Sequence, residues 1–252
     1  MLRKNDWFIT FKPKHNASIR LFCFHYGGGG ASSFRLWVND IIDSVEVITV
    51  QLPGREERYN EPLLNNIHSI INELCDNFYQ YTNKPCIFLG HSLGALIAFE
   101  FARKLRKEKM IQPKHLIVSG TQAPQISREN SPIHKLSDEK FIKELEKYKG
   151  IPVSMIENKE LISMFLPAIR ADFCIIETYE YQSEYPISYP ITALGGLSDN
   201  TFKIENLTEW KVQTNDLFEY HFFPGNHFFI RTAYKEVINV VNAILKKEIF
   251  VI

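Results

Sequence analysis

At 252 residues the chain is long enough to bury a substantial core, and it is near the length at which chains begin to split into domains. Lys plus Arg and Asp plus Glu number 29 each, so no net field draws it to nucleic acid or to an anionic membrane. No apolar run approaches the roughly 18 residues that would signal a membrane span, and no apolar leader follows the basic N-terminus. The four cysteines, Cys23, Cys75, Cys86 and Cys174, form no C-x-x-C pair and read as buried free thiols in a reducing compartment, so a cytoplasmic location is expected.

In chain order, short apolar runs alternate with amphipathic segments. Residues 19–24 read as a strand that ends in His25-Tyr26-Gly27-Gly28-Gly29-Gly30, followed by the amphipathic Phe34, Leu36, Trp37 and Val38. Strands are expected at 45–52 and 86–89, the second running into Gly90-His91-Ser92-Leu93-Gly94 and then a helix over 95–105. Another strand is expected at 115–119. The alternation then stops: Leu136, Phe141, Ile142, Leu145 and Tyr148 recur at helical spacing behind a Ser137 cap, and a second helical stretch covers 158–181. Pro167 must start a new helix there or kink an old one. Strands at 191–194 and 218–223 lead into Gly195-Gly196-Leu197-Ser198-Asp199 and Pro224-Gly225-Asn226-His227, and a helix over 232–247 closes the chain.

This alternation predicts an α/β fold with a mostly parallel central sheet flanked by helices. One domain is expected over 1–252, with 127–185 as an inserted helical lid. Active sites in such sheets gather outside the carboxyl ends of the strands, and each loop singled out above falls at such an end.

A G-x-S-x-G sequence between strand and helix is the setting of a nucleophile elbow, which makes Ser92 the candidate nucleophile. A serine hydroxyl needs a base, and the base needs an orienting carboxylate, in the chain order serine, acid, histidine for an α/β-hydrolase. His227 follows the last strand and is the candidate base. His15, His68 and His134 lie before the strands or in exposed-looking segments, His115 and His221 occupy strand patterns, and His91 is locked inside the elbow. Asp199 closes a strand-end turn and is the candidate acid; Asp172 would come from the lid and Asp216 from a polar loop. The oxyanion donors are expected to be the backbone N–H of Leu93, after the nucleophile, and of Tyr26, in the loop after the first predicted strand. Metal-ligand spacings and the G-K-[ST] ending of a phosphate loop are absent, so no metal and no cofactor are expected.

With these pieces placed, the chain resembles the type II thioesterases of nonribosomal peptide and polyketide synthesis over residues 21–245. The resemblance is carried by Phe24-His25-Tyr26-Gly27-Gly28-Gly29 with Trp37, by Gln51-Leu52-Pro53-Gly54-Arg55-Glu56-Glu57-Arg58 with Glu61-Pro62, and by Gly90-His91-Ser92-Leu93-Gly94-Ala95. It continues through Leu166-Pro167-Ala168-Ile169-Arg170-Ala171-Asp172, Gly195 to Asp199, and Gly225-Asn226-His227-Phe228-Phe229. Family members commonly carry Met at the Leu93 position and Gly at the Asn226 position; Leu93 would act through its backbone, and Asn tolerates tight turns.

The resemblance implies hydrolysis of acyl groups from the phosphopantetheine arm of acyl or peptidyl carrier protein domains of a synthase. The arm belongs to the substrate, and the enzyme is expected to be a monomer without nucleic-acid or membrane partners. Basic faces for acidic carrier proteins are offered by Lys135, Lys140, Lys143, Lys147 and Lys149 and by Arg103, Lys104, Arg106 and Lys107. Competing readings are a product-releasing thioesterase, usually fused to a synthase, a general small-ester or lipid esterase of the same fold, and a non-catalytic carrier-protein binder.

Overall fold

The structure is a computed structural model that describes residues 6–128, 131–148 and 150–250. Its centre is a seven-stranded sheet: β1 (Phe8–Ile9), β2 (Ile19–Phe24), β3 (Val45–Val50), β4 (Cys86–His91), β5 (Leu116–Ser119), β6 (Ile191–Gly196) and β7 (Phe218–Phe223). The spatial order is β1-β3-β2-β4-β5-β6-β7, parallel throughout except for β1, which pairs antiparallel with β3 through Phe8 and Val50. The expected strands are present, shortened to Val50 and to Leu116 in β3 and β5 and extended through His91 and Gly196 in β4 and β6, so Gly195 and Gly196 finish a strand and the turn starts at Leu197. Only β1 was without a sequence signal, because two residues are too few for a period.

Burial on both faces explains the continuous apolar runs. Phe22, Phe24, Phe88 and Val118 face one core, with α2 (Ile67–Phe78) and α3 (Leu93–Lys107), after the short α1 (Trp37–Asp40). Leu21, Cys23, Leu89 and Ile117 face the other, which α1 and the C-terminal helix cover. Successive residues of one strand thus serve opposite cores, as a period of two requires.

Between β5 and β6 the chain inserts α4 (Asp138–Glu146), α5 (Val153–Glu157) and α6 (Lys159–Thr178). Phe141, Leu145, Ile162, Leu166, Ile169 and Phe173 give α4 and α6 a small core of their own. α4 starts after Ser137 as expected, but the Ser137 hydroxyl makes no capping bond, and the first-turn Asp138 instead takes Arg170 at 2.5 Å. α6 passes through Pro167 in a single run, so the proline neither starts nor ends a helix. A proline there forfeits one backbone bond. Burial of Leu166, Ala168 and Ile169 on either side outweighs it. Beyond β6 and β7 come α7 (Ile204–Thr208), the one-turn α8 (Phe229–Thr232) and α9 (Tyr234–Phe250).

Candidate active site

β4 delivers Ser92 to the start of α3 with φ 55° and ψ −117°, a conformation a non-glycine residue adopts only under constraint. The two flanking glycines show what imposes it. A Cβ on Gly90 would lie 2.2 Å from the Gly94 carbonyl oxygen, and one on Gly94 would lie 2.1 Å from that of Phe24. Strand, elbow and helix are therefore in backbone contact, and the Ser92 N–H is tied to the Ser119 carbonyl at 2.7 Å.

The loops after β6 and β7 complete a hydrogen-bonded chain. His227 Nε2 lies 3.0 Å from Ser92 Oγ, and His227 Nδ1 lies 2.8 Å from Asp199 Oδ2. The other Asp199 oxygen accepts from the Thr201 backbone N–H at 3.0 Å and from its hydroxyl at 2.7 Å. Burial alone would push the Asp199 carboxyl up, but the bonds from His227 and Thr201 and the charge of His227 hold it below the usual value. Thr201 was missed in the sequence; its signal is the short Asp-x-Thr spacing, in which an aspartate accepts from the amide two residues on.

The rejected alternatives sit elsewhere. His91 turns from the serine hydroxyl, its Nδ1 2.8 Å from Ser119 Oγ, and burial lowers its pKa to about 3, leaving a neutral ring wedged 5.2 Å from that of His227. His134 is partly buried against Glu177 at 2.5 Å, and His115, just ahead of β5, bridges Thr192 and Glu248. Asp216 takes the Leu217 amide at 2.7 Å at the entry to β7. Asp172, on α6, is fully buried in a two-pronged pair with Arg55, at 2.5 and 2.9 Å.

Leu93 opens α3, where an amide has no acceptor within the helix. Tyr26 opens a tight turn closed by Gly29 N–H to Tyr26 O at 2.9 Å, with Gly28 at φ 78° in the position that demands a glycine. Because Gly94 packs on Phe24 and His25, the start of α3 and the end of β2 are adjacent. Tyr26, Gly27, Gly28, Ser92 and His227 line one open cavity. The insertion supplies most of its apolar wall, including Leu145, Phe165, Ile169, Phe173 and Ile176.

The expected basic faces fare differently. On α3, Arg103, Arg106 and Lys107 all pair with Glu184, Arg103 also with Glu100, and Lys104 with Glu108, so four cations there meet three carboxylates. On the insertion Lys135, Lys140 and Lys143 are exposed and Lys147 pairs with Glu144; Lys149 lies outside the described residues.

A parallel sheet with a strained serine after β4, joined to a histidine and an acid from the loops after β7 and β6, defines an α/β-hydrolase fold. The chain belongs to the thioesterase domain family, whose model matches residues 19–245. It is 41% identical over 234 residues to the gramicidin S biosynthesis protein GrsT of Aneurinibacillus migulanus, covering 93% of this chain and 91% of that protein. Among solved structures it resembles the type II thioesterase BorB of the borrelidin biosynthetic cluster, with a TM-score of 0.86 and 30% identity over 94% of this chain and 96% of that one. It also resembles ClbQ of the colibactin NRPS/PKS pathway, with a TM-score of 0.87 and 29% identity over 92% of this chain and 98% of that one.

Proposed function

We propose that the chain is an editing thioesterase that hydrolyses acyl groups from the phosphopantetheine arm of carrier proteins in nonribosomal peptide or polyketide synthesis. The observation that carries this reading is the hydrogen-bonded Ser92–His227–Asp199 chain, whose Ser92 and His227 line an apolar cavity, in a chain of the thioesterase family. Ser92 Oγ attacks the thioester carbonyl while His227 Nε2 takes its proton, and Asp199 holds the ring in the tautomer that leaves Nε2 free. Charge developing on the carbonyl oxygen is met by the N–H groups of Leu93 and Tyr26. Collapse expels the arm's thiol, which takes the proton back from His227 and leaves an acyl-serine. Water then attacks that ester with His227 again as base, releasing the acid and regenerating Ser92. The chain itself needs no cofactor for this, since the pantetheine arrives with the substrate.

The helical insertion acts as a lid that bounds the acyl group and gates the arm. Its exposed Lys135, Lys140 and Lys143 are cations available to an acidic carrier, and the α3 cations, though paired, outnumber Glu100, Glu108 and Glu184 four to three. The test is hydrolysis of one short acyl chain presented on a holo carrier protein and as a simple oxygen ester. A strong preference for the carrier-bound thioester is expected; equal or faster turnover of the ester would make the protein a general esterase.

A further inference from the structure

An oxyanion hole lowers a barrier only if its donors are already in place, because reorienting them during reaction costs what they would return. A loop of four glycines is the least suited backbone to stay in place, since glycine has the most conformational freedom to lose. The loop from Tyr26 to Ser32 is fixed from outside. Gly28 N–H donates to Asp172 at 2.7 Å, Ala31 N–H to Gln51 at 2.8 Å, and Ser32 N–H to both oxygens of Glu56 at 3.2 Å. The fit is close: a Cβ on Gly30 would lie 2.3 Å from Glu56, and one on Gly28 would lie 2.9 Å from Ile169.

Arg55 and Asp172 grip this loop from both polar sides. Asp172 accepts the Gly28 amide while Arg55 donates to the Gly29 carbonyl at 3.3 Å, and the two side chains hold each other in a fork. Neither lines the cavity that holds Ser92. A buried ion pair contributes little to fold stability against an apolar pair of the same size, so stability alone gives no reason for this one.

We propose that Arg55 and Asp172 are positioning residues for the oxyanion-donor loop; this rests on the thioesterase reading, in which the Tyr26 amide meets the oxyanion. Asp172 belongs to α6, the helix whose Ile169, Phe173 and Ile176 wall the acyl cavity. The same helix therefore sets both the acyl wall and the hole. An acyl group that displaces α6 pulls Asp172 away from Gly28 and slows its own turnover, so discrimination falls on kcat.

The test uses the full chain as wild type, Asp172→Asn, Arg55→Lys, and the charge-free double variant Arg55→Met with Asp172→Leu. Each is measured for kcat and KM on an acyl-carrier thioester, for inhibition by an alkyl trifluoromethyl ketone, whose adduct with Ser92 places an oxyanion in the hole, and for thermal unfolding. The expected result is kcat lowered about 10- to 100-fold with KM within about twofold, ketone affinity falling in parallel, and Arg55→Lys partly spared; complete loss of one donor costs about 10²- to 10³-fold. If a single variant fails to fold, the double variant decides, because it leaves no buried charge unpaired. Folded variants with wild-type kcat and ketone affinity, or with a raised KM alone, would overturn the assignment. Wild-type protein that neither hydrolyses the thioester nor binds the ketone would instead overturn the thioesterase reading, and this one with it.

Discussion

The sheet body and the helical insertion hold their residues by different means. In the body, Ser92 is fixed by backbone against backbone: Gly90 meets Gly94, Gly94 meets Phe24, and the Ser92 amide meets Ser119, with no side chain free to yield. The insertion has its own small core around Phe141 and Phe173, and long polar side chains such as Arg55 tie it to the body. Backbone contact fixes an atom to within a fraction of an ångström, whereas apolar helices over a cavity tolerate repacking. Damage to the body, or to the Asp172 that reaches it from α6, should therefore appear in turnover, and damage to the apolar wall of the insertion in which acyl group is accepted.

Ser92→Ala breaks this division most sharply. It should lower kcat by about 10⁶-fold while leaving the unfolding temperature unchanged, and a variant that retained activity would remove Ser92 from the chemistry. Asp199→Asn should cost about 10⁴-fold in kcat by stabilising the wrong His227 tautomer, with carrier binding near normal. A negligible loss would move the acid role to another carboxylate. Thr201→Val keeps the backbone bond to Asp199 and removes the hydroxyl one, so a loss of about tenfold in kcat is expected. Phe173→Ala, in the insertion, should leave the attack on short acyl groups intact and change selectivity among chain lengths by about 1–3 kcal/mol. If its effect were uniform across acyl groups, the comparison between body and insertion would fail.

The smallest effect is on stability against pH. Burial, together with the nearby Arg55 charge, lowers the pKa of His25 to about 4, and burial with the nearby His227 charge lowers that of His91 to about 3, against an ordinary 6.5. Between those values the unfolded chain binds more protons than the folded one, so stability rises with pH there and is lost as pH falls from about 6.5 toward 4. Unfolding temperatures measured from pH 7.5 to 5 should therefore fall as the pH is lowered. A flat profile would mean that these rings are not held neutral by burial.

Most of the body was legible because its rules are local. Strands buried on both faces read as unbroken apolar runs, and the loops at their carboxyl ends had already gathered Ser92, Asp199 and His227. The same rules could not reach β1, with only Phe8 and Ile9, or α5, with five residues. Of the two outcomes expected at Pro167, a new helix is ruled out by the single run of α6, which helix rules could not decide without knowing what its neighbours bury. The partner of Arg103, Arg106 and Lys107 was not legible either, because Glu184 arrives from beyond α6. The Gln51 to Arg58 and Arg170 to Asp172 segments stood out as family features with no purpose readable from sequence. Arg55 and Asp172 lie 117 residues apart, and only the fold brings them to the glycine loop.

The thiols offer a way to watch the insertion directly. Cys23, Cys75 and Cys86 are buried, and burial raises all three, Cys75 to about 11 and Cys86 to about 12, so they are poor targets for alkylation in the native state. Cys174 is half-buried on α6, two residues after Asp172. A maleimide dye applied briefly to native protein should therefore enter at Cys174, giving an optical reporter on the helix that borders the acyl cavity without any residue being replaced.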